Sequence, residues 1–182
     1  SCFLEDMPDF NTVVAMDVGG TNLRYALVRE SNGEIDIVRR EAISTGDPED
    51  RVALMRRIFA ATRTAMEWGT EVPIGVGFSL AGSTDPVSGV MYRPPNLMAF
   101  HGFSPAGAVV SEVGLRTVSA NDATAAALAE YRYGSHGKLN HLVYLTLSTG
   151  VGGGQVVDGK LYTGAGGFAG EWGHITLDPE GP

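Results

Sequence analysis

The chain has 182 residues, 43% of them hydrophobic and 19% charged, which is enough apolar material for a sizeable core in one domain or two small ones. Its 21 acidic against 13 basic side chains leave a formal charge of −8, and the basic residues form no group denser than Arg39-Arg40 and Arg56-Arg57, a poor footing for nucleic acid or an anionic membrane. No apolar run reaches the roughly 18–20 residues that span a bilayer, the opening Ser1-Cys2-Phe3-Leu4-Glu5-Asp6 lacks a signal-peptide pattern, and the single cysteine excludes an internal disulfide, so the expectation is a cytoplasmic protein.

Residues 13–18 are a short apolar run that ends in Gly19-Gly20-Thr21-Asn22, the pattern of a buried strand and a tight turn. Residues 23–30 read as a second strand. Asn32-Gly33 is a strong hairpin signal, with 34–43 as the returning strand, so the chain opens as an antiparallel meander. Asp47-Pro48-Glu49-Asp50 predicts a helix start, with Asp47 as the cap and Pro48 in the first helical position. Val52, Met55, Phe59, Thr62 and Met66 then recur at helical spacing up to Gly69. Residues 73–80 are another apolar strand. Residues 83–96, with Asp85-Pro86, Ser88-Gly89 and Pro94-Pro95, predict a loop or irregular hairpin. A strand at 117–120 leads through Asn121-Asp122 into an Ala-rich helix over 123–131 that ends near Gly134.

The opening pattern then returns. Residues 141–147 predict a strand, Ser148-Thr149-Gly150-Val151-Gly152-Gly153 a glycine turn, 155–157 a strand, Asp158-Gly159 a hairpin turn, and 160–162 the next strand. This duplication places a domain boundary near residue 118, with a small lobe over 1–118 and a second lobe beginning at 119–182. From Gly154 the sequence also reads G-x-x-x-x-G-K-L, one hydroxyl short of a Walker A phosphate loop. A true phosphate loop is followed by a helix; here the flanking residues predict a hairpin, with Gly159 as a turn glycine and Lys160 opening a strand. The two glycine turns are better candidates. Each exposes backbone N–H groups suited to anions, and the pair could clasp a polyphosphate between them. Asp17 stands where a carboxylate could hold Mg²⁺ or its waters, and Thr21 and Thr149 supply hydroxyls. Closing two hairpins is the plainer alternative for both turns.

Asp17-Val18-Gly19-Gly20-Thr21-Asn22-Leu23-Arg24 resembles the first phosphate motif of the superfamily that includes sugar kinases, heat-shock chaperones and actin. More narrowly, the chain resembles the ROK family of bacterial sugar kinases and repressors. Residues 75–82 with Asp85-Pro86, Gly89-Val90 and Pro95-Asn96-Leu97 resemble its sugar loop. Asn121-Asp122-Ala123 resembles its catalytic motif, residues 147–154 its second phosphate motif, and Gly170-Glu171-Trp172-Gly173-His174 with 178–182 the approach to its zinc site.

The resemblance implies an α/β chain with the actin-like ATPase (ribonuclease H-like) fold, duplicated mixed sheets with helices and an incomplete second lobe. It implies a hexose kinase using ATP and Mg²⁺, of glucokinase type, with kinases of N-acetylglucosamine, N-acetylmannosamine, mannose or fructose as alternatives. Asp122 would be the catalytic base; Gly82, Asn121, Asp122, Glu171 and His174 would bind the sugar. Gly19, Gly20, Thr21, Asn22, Thr149 and Gly150 would bind nucleotide phosphates, Asp17 would serve Mg²⁺, and His174 would be a zinc ligand. Read without the family, Asp122 is more simply a plain helix cap. The family's zinc cysteines would follow Pro182, so zinc is expected only in a complete chain, and a fragment of a longer kinase is the expectation. A homodimer is expected of the complete protein. The competing class is a sugar-sensing repressor without its DNA-binding domain; only 16 residues precede Asp17.

Overall fold

In the computed structural model, which describes residues 10–147, 150–176 and 178–180, strict alternation organises the first strand, β1 (Asn11–Val18). Val14, Met16 and Val18 are buried on one face; Val13, Ala15 and Asp17 lie on the other. β2 (Asn22–Ser31) and β3 (Glu34–Ser44) continue the meander, joined by Asn32-Gly33 with both residues at positive φ, as the tightest hairpin turn requires. β4 (Val76–Leu80) pairs with β1 in parallel, and β7 (Thr117–Asn121) with β4 in parallel. The sheet order is therefore β3-β2-β1-β4-β7.

Two helices carry the crossovers and share a core with the sheet. α1 (Arg51–Met66) buries Leu54, Met55, Ile58, Ala61, Thr62 and Ala65 against Leu23, Leu27 and the buried face of β1. Each fully buried Leu or Ile contributes about 1.5–3 kcal/mol relative to exposure. The helix starts later than its sequence predicts. Asp50, not Asp47, is the cap, accepting from Ala53 N at 3.0 Å, while Asp47 closes a turn by accepting from Glu49 N at 2.9 Å. The buried face also differs from the predicted one: Val52 is 61% exposed, and Leu54, Ile58 and Ala61 pack on the sheet instead. α2 (Pro105–Val113) has no counterpart in the sequence reading. Its signals are nevertheless orthodox: Ser104 caps it, Pro105 opens it, and Gly114 at φ 72° ends it.

A two-residue hairpin, β5 (Ser83–Thr84) with β6 (Met91–Tyr92), interrupts the irregular stretch after β4. α3 (Asp122–Tyr133) follows β7 directly. A second meander, β8 (Leu142–Leu147), β9 (Val151–Val157) and β10 (Lys160–Leu161), forms a separate sheet in the order β10-β9-β8. Its Asp158-Gly159 turn has both residues at positive φ, as at Asn32-Gly33. The Gly154–Lys160 stretch thus lies in strand, turn and strand, which excludes a Walker A loop. Residue 118, the expected domain boundary, lies within β7. Among the described residues no helix is long and apolar enough to cross a membrane.

Candidate active site

The first glycine turn sits at the end of β1 and is held from two directions. Gly19 N donates to Asn22 O at 2.9 Å, which closes the turn on itself. Thr45, fully buried just beyond β3, donates from Oγ1 to Gly19 O at 2.7 Å and from its backbone N–H to Thr21 O at 2.9 Å. Both carbonyls are therefore drawn toward the sheet. Thr21 and Asn22 are left exposed at the tip. Gly20 packs against the loop after β6: a Cβ there would stand 2.9 Å from Asn96 Cβ and O.

Asp17, the last outward-facing residue of β1, is cross-strand from Arg24. Arg24 donates to its Oδ2 at 2.9 Å, and Ser79 on the neighbouring β4 donates to its Oδ1 at 2.9 Å. These two contacts orient the carboxylate, and its side chain remains 43% exposed. A carboxylate oxygen that accepts one hydrogen bond still has a lone pair to offer, and Mg²⁺ needs only one or two protein carboxylates. The donor set at Asp17 thus fits Mg²⁺. It does not extend to zinc: no group of three or more His, Cys, Asp or Glu converges among the described residues.

The second cluster gathers around the end of β4 and the start of α3. Asn121 is the cap of α3, its Oδ1 accepting from Ala123 N at 3.0 Å and Thr124 N at 3.2 Å. Its Nδ2 donates to Gly82 O at 3.3 Å, tying β7 to the turn after β4. With the capping role filled, Asp122 stands in the first turn of the helix and is exposed. Its Oδ1 accepts from Ala123 N at 2.8 Å. The positive end of the helix dipole favours its ionised form. Next to Gly82, Ser83 Oγ donates to Glu171 Oε1 at 3.4 Å, and Glu171 Oε2 faces His174 Nε2 at 3.8 Å. The segment carrying Glu171 is seated on the β5–β6 hairpin at Gly167, where a Cβ would meet Thr84 O at 2.5 Å. Gly82, Asn121, Asp122, Glu171 and His174 are thus linked into one group.

Gly150 is exposed, with open space where a Cβ would stand, and no hydrogen bond ties it to either cluster among the described residues. Thr149 lies outside the described residues. Four residues that shape these clusters, Arg24, Thr45, Ser79 and Ser83, were not expected from the sequence. Arg24 and Ser79 lay within recognisable motifs without a role of their own; Thr45 and Ser83 stand out only through contacts with distant segments. A mostly apolar cavity of about 1210 Å³ adjoins the Asp17 cluster: Asp17, Arg24 and Ser79 line it together with Leu128 and Tyr133 of α3.

Comparison with known proteins follows the same lines. The chain is 34% identical over 170 residues to a glucokinase of Thermotoga maritima, covering 93% of this chain and 52% of that protein. It is 36% identical over 172 residues to an N-acetylmannosamine kinase of Salmonella arizonae, covering 94% and 56%. The chain therefore spans about half the length of the curated relatives it matches. Among solved structures it superposes on a ROK family glucokinase from Streptomyces griseus, crystallised with glucose and AMPPNP, with TM-score 0.79 and 32% identity over 94% of this chain and 52% of that one. The shared architecture is α/β with the actin-like ATPase (ribonuclease H-like) fold. The ROK family pattern matches residues 13–182. With nearly every residue inside that match and the fold in common, this chain belongs to the ROK family.

Proposed function

We propose that this chain carries the sugar- and phosphate-binding half of an ATP-dependent hexose kinase, most simply a glucokinase. One observation carries the reading: Asn121 takes over the cap of α3, which leaves the Asp122 carboxylate exposed and unengaged at Oδ2 among the described residues, beside the Gly82–Glu171 group. Sugar hydroxyls would be held by Gly82, Asn121, Glu171 and His174. Asp122 would accept the proton of the reacting hydroxyl as its oxygen attacks the γ-phosphorus. The bond to the β-phosphate oxygen breaks, and ADP leaves. The N–H groups at Gly19, Gly20, Thr21 and Asn22, with Thr149 and Gly150 from the second turn, would receive the phosphates. Mg²⁺, when bound near Asp17, neutralises charge on the transferring phosphoryl group. His174 lacks further zinc ligands among the described residues, and no step depends on zinc.

We place the lobe division at 1–118 and 119–182, the protein in the cytoplasm, and a homodimer as the assembly of the complete protein. N-acetylmannosamine is the second substrate reading, favoured by the 36% identity to the Salmonella kinase. The test is ADP release with a panel of hexoses, ATP and Mg²⁺, on this chain and on Asp122→Asn. Turnover with one sugar should fall about 10²–10⁴-fold in the variant, with the melting temperature unchanged because Asn121 still caps the helix. Turnover that survives the substitution would remove Asp122 from the base role.

A further inference from the structure

The two clusters are joined through the ends of β1 and β4, where Ala81 N donates to Val18 O at 3.1 Å, and one loop presses on both from outside the sheet. In the stretch after β6, Pro94 is buried against Gly82, where a Cβ would stand 2.7 Å from Pro94 Cβ and 3.0 Å from its Cα. Two residues on, Asn96 packs against Gly20. Leu97 N donates to Pro94 O at 3.1 Å, closing a turn between the two contact points, and Leu97 itself is fully buried. The residues that meet the sugar-side glycine and the phosphate-side glycine are therefore one short rigid piece.

That piece enters through an unusual residue. Arg93 has φ 43°, a left-handed conformation that side chains other than glycine, Asn and Asp rarely hold. It also precedes a proline, which narrows its choices further. Left-handed backbone of this kind persists only where neighbours hold it. The neighbour here is His101. Its Nδ1 accepts from Arg93 N at 3.2 Å. His101 is itself fixed by its N–H to Met98 O at 3.1 Å and by its bridge to Met91, while Gly102 N donates to Met91 O at 2.9 Å. The imidazole thus ties Arg93, the left-handed residue of the loop, to backbone anchored beside the buried Met91 and Phe100.

We infer that His101 is a positioning residue for the cleft: by holding Arg93 left-handed it fixes the 93–97 loop, which braces the Gly82 and Gly20 turns together beyond the point where the β1–β4 pairing ends. In functional terms this rests on the hexose kinase reading, since it makes hexose and nucleotide sites share one support. Occupation of the Gly82 side would then order the Gly20 side through Pro94 and Asn96.

Hydrogen exchange on this chain tests the geometry without any activity. His101→Ala should speed exchange several-fold at Leu97 and also at Gly19 and Thr45, while amides in the buried part of α1 stay protected. Arg93→Gly, which relieves the left-handed residue, should restore protection in the His101→Ala background. His101→Asn, whose carboxamide oxygen can accept from Arg93 N, should behave as wild type. In the kinase assay His101→Ala should raise KM for hexose and for ATP together, with kcat little changed. Faster exchange confined to 93–97, or loss that Arg93→Gly fails to rescue, overturns the inference. Absence of turnover in the wild type would count against the kinase reading alone, because the exchange pattern is read independently of it.

Discussion

The two glycine-rich segments look like copies of each other in the sequence, yet their glycines work differently. At the end of β1, Gly19 and Gly20 form the turn itself. Thr45 clamps its carbonyls, Asn96 crowds Gly20, and the tip is presented to solvent. In the second segment, Gly152, Gly153 and Gly154 lie inside β9, not in the turn before it. There they make room. A Cβ at Gly152 would meet Ala123 Cβ at 3.2 Å, and one at Gly154 would meet Ala127 Cβ at 2.6 Å and Thr124 Cα at 3.0 Å. On the opposite face a side chain at Gly153 would run into Trp172 and Gly170 O. The absent side chains let α3 sit directly on β9 from one side and the Trp172 segment from the other. Of the turn predicted over 148–153, residues 151–153 lie in β9, where Gly152 faces α3. One consequence concerns the helix that carries Asp122: α3 begins at that residue, so the β9 glycines determine how closely the helix lies on the second sheet.

Substitutions can break this contrast. The largest effect on stability belongs to Gly154→Ala, because Thr124 Cα and Ala123 O are backbone atoms that cannot swing aside. We expect a loss of about 1–3 kcal/mol in denaturant unfolding, as for other overpacked sites, and reduced activity through displacement of α3. A variant as stable as wild type would mean that α3 does not rest on β9.

A smaller effect is expected at the first turn. Thr45→Val removes the hydroxyl bond to Gly19 O while keeping the backbone N–H to Thr21 O. Stability should fall by about 0.5–1.5 kcal/mol, and affinity for ATP, read by titration calorimetry, should drop more than affinity for hexose. Equal losses for both ligands would deny the turn a separate phosphate role.

The smallest effect is a pH dependence confined to the first meander. Glu41 on β3 is held below the ordinary carboxylate range, first by the hydrogen bond it accepts from Tyr25 and then by that from Arg39. A lowered folded-state pKa stabilises the fold fully above the ordinary carboxylate range, and that contribution disappears as pH falls through the lowered value. Glu41→Gln should therefore flatten the acid limb of a melting-temperature profile and leave the neutral limb unchanged in slope. An identical acid limb in both proteins would show that this exposed pair contributes nothing to folding.

Much of this was legible in the chain itself. The duplicated meander follows from local chemistry: alternation in β1, Asn32-Gly33 and Asp158-Gly159 at the hairpin turns, and an Ala-rich helix after Asn121. Asn121 and Asp122 could be singled out, but two adjacent residues at a helix start compete for the cap. Only the geometry assigned it to Asn121, through bonds to Ala123 N and Thr124 N, leaving Asp122 bonded at Oδ1 alone among the described residues. The start of α1 differed for the same reason: Asp47 and Asp50 can each cap, and the structure gives Asp50 the bond from Ala53 N while Asp47 closes the preceding turn.

What the sequence by itself determined was the order of the elements and the identity of the motifs, because these rest on residue preferences within a few positions. What the tertiary structure alone decided was the support of the site. Ser79 meets Asp17 across 62 positions, Thr45 meets Gly19 across 26, and Ser83 meets Glu171 across 88. No local preference encodes such pairs. They arise only when β4 lies parallel to β1, when β3 returns beside the first turn, and when the segment after β10 closes over the β5–β6 hairpin. The meaning of the β9 glycines was likewise invisible until α3 and Trp172 were in place on either side of them, since a missing side chain signals close approach only once there is something to approach.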